Sequence, residues 1–235
     1  MIDGHCHILP GIDDGPMDIS ESVEMARIAA GDGIEKIIAT PHVYGIGVLP
    51  EDIAAGAERL NRILARNHIP VAVYPGAEVS MGMDPEKLCR YTMNRSRYVL
   101  IEFPHDHLPA HAGKLLGWLS ARGLRPIIAH PERNHAIVRA PETLLGLLTR
   151  DVYVQITAGS LLGDFGRDIQ YCAEFLLDAG KVDMIASDAH SGTIRPPQLS
   201  LAAEHASRRV GRTAAMRLVR TNPEAVLADE DIHGE

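Results

Sequence analysis

A closed parallel α/β barrel is the fold this sequence predicts. Short β-branched or apolar runs alternate with longer segments of helical period along the whole chain, the pattern of successive βα units. No G-x-G-x-x-G follows a strand candidate and no G-x-x-x-x-G-K-[ST] occurs anywhere, so the nucleotide fingerprints of an open doubly wound sheet are missing. Metal-binding and acid–base side chains recur instead at the C-terminal end of strand after strand, where a barrel gathers its active site.

The elements follow in order. A first strand covers 1–3, and a helix begins with the stripe Ile19, Val23, Ala26 and Ala30. A second strand at 36–40 precedes a helix carrying Ala57, Leu60, Ile63 and Leu64 on one face. Further strands are expected at 71–77, 98–103, 126–129, 152–157 and 184–187, each a short β-branched or apolar run. That makes about seven, one short of the standard eight-stranded barrel. From Gln198 onward the chain reads as helical and carries Arg208, Arg209, Arg212, Arg217 and Arg220, the make-up of a solvated helix face. At 235 residues, with no Pro/Gly/Ser-rich linker, repeat or low-complexity tract, the chain is expected to form one domain, 1–235.

Composition narrows the function. Apolar residues at 46% and charged residues at 23% exclude collagen-like, disordered and membrane-spanning classes. A net charge of −8 is the wrong sign for holding a polyphosphate backbone, so nucleic acid is not an expected partner. The start Met1-Ile2-Asp3-Gly4-His5 lacks the features of a signal peptide, no apolar run reaches membrane-spanning length, and the three widely spaced cysteines make no disulfide framework. A cytoplasmic location is the expectation. Histidine, at 12 residues, outnumbers Phe, Tyr and Trp combined, which points to metals or proton transfer.

The strand ends carry that chemistry. In His5-Cys6-His7 the two imidazoles project to the same side of an extended chain and can reach one cation. Ser187-Asp188-Ala189-His190 repeats the arrangement at the last strand, which neighbours the first when a barrel closes. Between them, His42 finishes the second strand, Glu78 the third and His130 the fifth, while Glu102 lies inside the apolar fourth strand, where a carboxylate is costly unless paired or coordinated. Any one of these alone is an ordinary surface or satisfied core polar residue; together at equivalent strand ends they are not. In the turn Gly11-Ile12-Asp13-Asp14-Gly15 an acidic pair serves turn geometry or coordination; one carboxylate suffices for coordination, and Asp14 is favoured over Asp13. The expected ligands are His5, His7, Asp14, His42, Glu78, Glu102, His130, Asp188 and His190. Such a set exceeds what one tetrahedral ion uses and contains no thiolate, so it implies two or three divalent cations and suits Mn²⁺, Fe or Zn²⁺. Arg133 and Arg195, on loops leaving ligand-bearing strand ends, offer guanidinium forks for phosphate oxygens.

These residues resemble the polymerase and histidinol phosphatase (PHP) family of metal-dependent phosphoesterases. The resemblance spans the whole chain. Within that family the segment Met1 through Gly15, Ser96-Arg97-Tyr98-Val99-Leu100-Ile101-Glu102-Phe103, Ala129-His130-Pro131-Glu132-Arg133 and Ala186-Ser187-Asp188-Ala189-His190 look like the bacterial capsule-associated tyrosine-protein phosphatases. The resemblance implies an irregular (β/α)7 TIM-like barrel of PHP type around a trinuclear site, with the nine ligands on the cations and Arg133 and Arg195 on the phosphate. It implies a phosphoric monoester hydrolase that attacks phosphotyrosine with metal-activated hydroxide, with Arg133, Arg195, Asp188 and His190 as the catalytic set. The implied partner is a phosphotyrosine-bearing protein, the C-terminal tail of a tyrosine autokinase controlling capsule or exopolysaccharide synthesis. One departure bears on substrate: the loop 43–50 is apolar and Gly-bearing, with no Arg or Lys to meet a substrate tail.

Three rivals remain in view. A small phosphate ester such as histidinol phosphate would use the same fold. A non-catalytic metal-bound interaction module has no use for so many convergent polar groups. Cysteine catalysis would need Cys89 and Arg95, which have C-x5-R spacing, but the residues between them include no glycine for a phosphate cradle and no strand leads in. His105, His107, His111 and His135 are expected to be solvated loop residues near the mouth.

Overall fold

This computed structural model describes residues 1–45 and 47–232. The loop 43–50 and the span 1–235 therefore each include residues outside the described ones. Among the described residues there are nine strands: β1 Ile2–Cys6, β2 Lys36–Ala39, β3 His42–Val43, β4 Ala72–Pro75, β5 Glu78–Ser80, β6 Tyr98–Glu102, β7 Arg125–Ala129, β8 Tyr153–Thr157 and β9 Met184–Ala186. Every pairing is parallel, in a sheet ordered β1-β2-β4 and another ordered β3-β5-β6-β7-β8-β9.

The chain joins the two sheets twice by running on from one to the other. β2 passes through Thr40-Pro41 into β3, and β4 passes through Gly76-Ala77 into β5, with Gly76 N donating to Ala39 O at 2.8 Å and Glu78 N to Pro41 O at 3.1 Å. At the far edge β1 meets the end of β9: Cys6 bridges Ala189, His7 N donates to Ala189 O and Asp188 N to His5 O, both at 2.8 Å. The result is a barrel-like ring of parallel strands whose C-terminal ends face one way. His42 and Glu78 accordingly open short strands of their own, whereas the sequence placed them at the ends of longer ones. Gly76 explains the break, because a Cβ there would lie 2.8 Å from Ile38 Cγ2, too close for any side chain.

Alternation along the strands separates two cores. Ile38, Tyr98, Leu100, Ile127, Ala129, Tyr153 and Met184 pack together with Ala225, Val226 and Ile232 from the tail, so the ring's interior is apolar and the C-terminal segment packs against it. The intervening residues, among them Ile37, Val99, Ile101, Ile128, Val154 and Ile185, belong to the larger cluster shared with the helices. Continuing the interior face by two residues reaches Glu102 on β6 and Gln155 on β8, and two more reach Thr157, which is how polar groups come to cap an apolar interior.

The helices supply the outer layer. Asp18 caps Ile19–Gly31 by accepting from Ser20 N and Glu21 N, and Pro50 opens Pro50–Arg66, where its missing N–H costs nothing. The second helix buries Ile53, Ala57, Leu60 and Leu64, close to the expected face. The first buries Ser22, Met25, Ala26 and Ala29, a stripe rotated from the expected one and sharing Ala26 with it. In the arginine-rich tail Arg209 pairs with Glu174 at 3.2 Å and Arg220 approaches Glu35 at 3.8 Å, in keeping with a solvated face.

Candidate metal centre

Nine side chains from seven places in the chain meet above the apolar interior. His5, Glu78, His130 and Asp188 form one cluster, all buried; His7, Asp14, His42 and His190 form a second; His42, Glu78 and Glu102 form a third. Within each cluster the donor atoms lie within 4.8 Å of one another. These are the nine residues the sequence singled out, Asp14 included, and the structure brings every one of them into these adjoining clusters.

The distances show how the clusters share groups. His5 Nε2 and His7 Nε2 face each other at 3.1 Å, and each lies 3.3 Å from Glu78 Oε2 and 3.4 Å from Asp188 Oδ1. Glu78 Oε1 accepts from His130 Nε2 at 2.7 Å, and Glu78 Oε2 lies 3.0 Å from His42 Nδ1. His190 Nε2 stands 3.3 Å and His42 Nε2 3.7 Å from Asp14 Oδ1. Two bridging carboxylates, Glu78 and Asp188, therefore lie amid imidazole nitrogens. Glu78 Oε2 and His42 Nδ1 are buried with no hydrogen-bond partner, which is expensive for polar atoms unless a cation completes them. An all-nitrogen-and-oxygen donor set with orphaned lone pairs at its centre fits divalent cations.

Electrostatics agree. Burial works against charge on Glu78, yet the imidazoles of His5 and His130 outweigh it and hold the carboxyl well below the usual range. The same contest, won by His5 and His7, lowers Asp188 well below its ordinary value. Glu102 goes the other way: burial and the neighbouring Glu78 push it up to about 7. Burial and the positive field of His7 bring His190 down to about 4, leaving a neutral ring whose Nδ1–H donates to Asp188 O at 3.0 Å and whose Nε2 keeps its lone pair. The backbone is strained where ligands leave two strands, with φ of +30° at His130 and +52° at Asp188, left-handed values that non-glycine residues adopt at a cost.

A shell behind the ligands orients them. Gln155 Oε1 accepts from His5 Nδ1 at 2.8 Å, which turns Nε2 toward the centre as an acceptor. Asp13 does the same for His7 from the other side, accepting from Nδ1 at 2.6 Å, and its carboxylate also accepts from His42 N at 2.9 Å and Gly15 N at 3.0 Å. The acidic pair thus divides: Asp13 orients, Asp14 faces the clusters. Gln155 went unread in the sequence, although a glutamine inside the buried run Tyr153-Val154-Gln155-Ile156-Thr157 carries the same signal as Glu102 in its strand.

Arg133 and Arg195 both donate to Asp188 Oδ2, the oxygen opposite the one facing His5 and His7. Phe165, which no motif marked, supports both guanidiniums, with its ring centroid 4.9 Å from Arg133 Cζ and 5.8 Å from Arg195 Cζ. Arg195 Nε is buried and unpartnered, a donor still to be used. The open cleft over the ligands has a volume of about 410 Å³, and Tyr44, Phe103, Pro104, His105 and the two arginines complete its walls. His105 is an exposed loop residue at the mouth, as expected, and in addition it stacks on His130 at 5.8 Å and lies 3.5 Å from Glu102 Oε1. The loop beneath it is pinned by Asn134 Nδ2, which donates to Pro104 O at 2.6 Å and His107 O at 2.8 Å. Cys89 does not line the cleft; its thiol donates to Pro85 O at 3.2 Å and burial raises its pKa, the reverse of an activated nucleophile.

Comparison with known proteins bears on the same site. The profile of the family described as capsular polysaccharide synthesis, CpsB/CapC, matches residues 1–228. The tyrosine-protein phosphatase YwqE of Bacillus subtilis is 43% identical over 198 residues, 81% of this chain and 78% of that protein. The putative tyrosine-protein phosphatase CapC of Staphylococcus aureus is 38% identical over 205 residues, 83% of this chain and 79% of that protein. A crystal structure from work on B. subtilis YwqE and Streptococcus pneumoniae CpsB, described as unique metal-dependent tyrosine phosphatases, superposes with a TM-score of 0.92 at 38% identity, covering 98% of this chain and 95% of the other. A β-aspartyl dipeptidase of Fervidobacterium islandicum, at 16% identity and a TM-score of 0.56, shares the fold alone.

Proposed function

The chain belongs to the capsular polysaccharide synthesis CpsB/CapC family, and on that premise we propose that it is a metal-dependent protein-tyrosine phosphatase serving capsule or exopolysaccharide synthesis. The observation that carries this reading is the convergence of nine imidazoles and carboxylates in three adjoining clusters, six of them lining an open cleft beside two arginines. His5, Glu78, His130 and Asp188 would hold one cation, His7, Asp14, His42 and His190 a second, and His42, Glu78 and Glu102 a third, with Mn²⁺ as the native metal. Such cations supply the Lewis acidity that makes water nucleophilic at neutral pH and neutralise charge on the reacting phosphate.

The chain's own groups do the rest. Arg133 and Arg195 swing part of their hydrogen bonding from Asp188 Oδ2 to the phosphate oxygens, with Arg195 Nε as an additional donor. Phe165 beneath them keeps the two forks aligned as the partner changes. Tyr44, Phe103 and Pro104 give the cleft apolar walls for the phenyl ring of the substrate. A tyrosine phenol, with a pKa of about 10, leaves as phenolate far more readily than a serine alkoxide, so no strong general acid is required. Cys89 has no part in the reaction. The substrate is a phosphotyrosine-bearing protein, the C-terminal tail of a bacterial tyrosine kinase, met in the cytoplasm by a single-domain enzyme. Among the described residues no helix is long and apolar enough to cross a membrane.

The test is phosphate release from a phosphotyrosine peptide, with histidinol phosphate as competitor and metal content followed by elemental analysis. Activity is expected to vanish on exhaustive chelation and return with Mn²⁺. Full turnover by metal-free protein refutes the mechanism, and preferential turnover of histidinol phosphate refutes the substrate.

A further inference from the structure

Beside the catalytic cleft lies a second pocket that the chemistry above does not use. It opens at the ends of β8 and β9, has a volume of about 240 Å³, and shares Arg195 with the cleft. Its apolar wall consists of Leu162, Phe165, Ile194 and Pro196. Seven large hydrophobic side chains are exposed among the described residues, and two of them, Ile194 at 87% and Leu162 at 38%, line this pocket. Single exposed apolar residues need no explanation, but two that share a concavity continuous with a binding cleft mark a place where something apolar is received.

The wall is built rather than incidental. Gly163 and Gly166, with φ of +88° and +97°, bracket Asp164-Phe165 and turn that segment back over Ala158–Leu162, where Asp164 N donates to Gly159 O at 2.9 Å. Gly159 permits the closeness, since a Cβ there would stand 3.0 Å from Asp164 Oδ2 and 3.1 Å from Phe165 Cε2. Phe165 consequently serves two sites, beneath the arginines on one side and in the second pocket on the other.

We infer that this pocket receives an apolar side chain one or two residues from the phosphotyrosine of the substrate. The inference rests on the phosphotyrosine reading of the cleft. In an extended peptide consecutive Cα atoms are about 3.8 Å apart and side chains alternate in direction, so a near neighbour reaches a pocket that shares a wall with the phosphate site. Charge selects as well as shape: the guanidinium of Arg195 is shared between Asp188 and the phosphate, and the exposed carboxylate of Asp164 at the rim repels an acidic neighbour. Ile194 and Leu162 are therefore specificity-determining residues of the substrate-binding face.

The experiment compares phosphotyrosine peptides carrying Leu, Ala or Asp at each position from two before to two after the phosphotyrosine. At one of those positions the intact enzyme is expected to show kcat/KM in the order Leu, Ala, Asp, with Leu over Asp by about 10-fold, the scale of one aliphatic group in an apolar site. Leu162→Lys should flatten or invert that ratio. Because the ratio is taken within each protein, any general loss of activity cancels. Equal turnover at every position overturns the inference and leaves the phosphatase reading standing. Failure to hydrolyse any of the peptides, with generic aryl phosphate still turned over, overturns both. A ratio unchanged by Leu162→Lys, accompanied by a shift of oligomer to monomer in sedimentation, assigns the patch to a second copy of the chain and overturns the inference as well.

Discussion

Replacing Asp13 by asparagine removes one charge and almost no volume, and the structure says what should follow. All three partners of this carboxylate are donors: His7 Nδ1–H and His42 N–H to one oxygen, Gly15 N–H to the other. Asparagine offers one acceptor oxygen and an NH₂, so in either orientation a donor meets a donor. With the amide oxygen in the place of Oδ2, His7 keeps its tautomer but loses the charge of its acceptor while NH₂ meets Gly15 N–H; with the NH₂ there instead, which spares Gly15, His7 is relieved by exchanging tautomers, presenting Nδ1 as acceptor to the amide and moving its proton to Nε2. That nitrogen is the one facing His5 Nε2, Glu78 Oε2 and Asp188 Oδ1, and a protonated nitrogen cannot coordinate. Asp13 itself illustrates the strength of the arrangement, since burial opposes its charge and the bond to His7 still holds its carboxyl below the ordinary range. A charge-assisted hydrogen bond of this kind contributes about 1.5–3 kcal/mol, and loss of a partner behind a metal ligand weakens metal binding by about 10- to 100-fold. Titration of metal-free Asp13→Asn protein with Mn²⁺, read by calorimetry and by activity, should show that loss in affinity. At saturating metal most of the rate should return, because Asp13 stands behind His7 and does not line the cleft. An unchanged metal affinity, or a rate that stays low with the metal sites full, would refute the orienting role.

Other expectations follow from the same geometry. Glu102, raised to about 7, and His7, raised despite its burial by Asp13, Asp188 and Glu78, carry protons near neutrality in the metal-free protein that a cation must displace. Apparent metal affinity should therefore fall as pH drops from about 8 to about 6, with proton release visible as a buffer-dependent heat; a flat profile would contradict the assignment of these groups. Arg133→Lys, which keeps the charge and removes the fork, should lower kcat/KM for phosphotyrosine peptide by about 10- to 100-fold with metal content unchanged, and retention of wild-type kcat/KM would take Arg133 out of the phosphate site. Cys89→Ser should turn over phosphotyrosine at the wild-type rate, whereas a dead enzyme would restore the cysteine mechanism.

Much of the clustering was legible in the linear chain because its imidazoles and carboxylates stand out against apolar neighbours. His5 and His7, Asp188 and His190, Glu102 and His130 each stand at or near the end of a β-branched run, and such a run has few other reasons to carry them. Local periodicity also located seven of the nine strands, since the interior and exterior of a parallel ring both demand apolar residues. The two it missed, His42–Val43 and Glu78–Ser80, are too short for any periodicity and arise where the chain crosses from one sheet to the other.

The identities and chemical types of the clustered imidazoles and carboxylates, then, are written residue by residue, because their chemistry depends on what the side chain is and alternation of a strand dictates which way it points. Which partner stands behind each donor is decided only when distant segments pack. Gln155 reaches His5 across 150 positions, Arg133 meets Asp188 across 55, and the carboxylates of Asp13 and Asp14, identical in the sequence, acquire opposite tasks from the direction the turn gives each of them. Hydrogen-bond orientation and shared charge are properties of distances below about 4 Å, and no spacing along a chain encodes those until the ring is assembled.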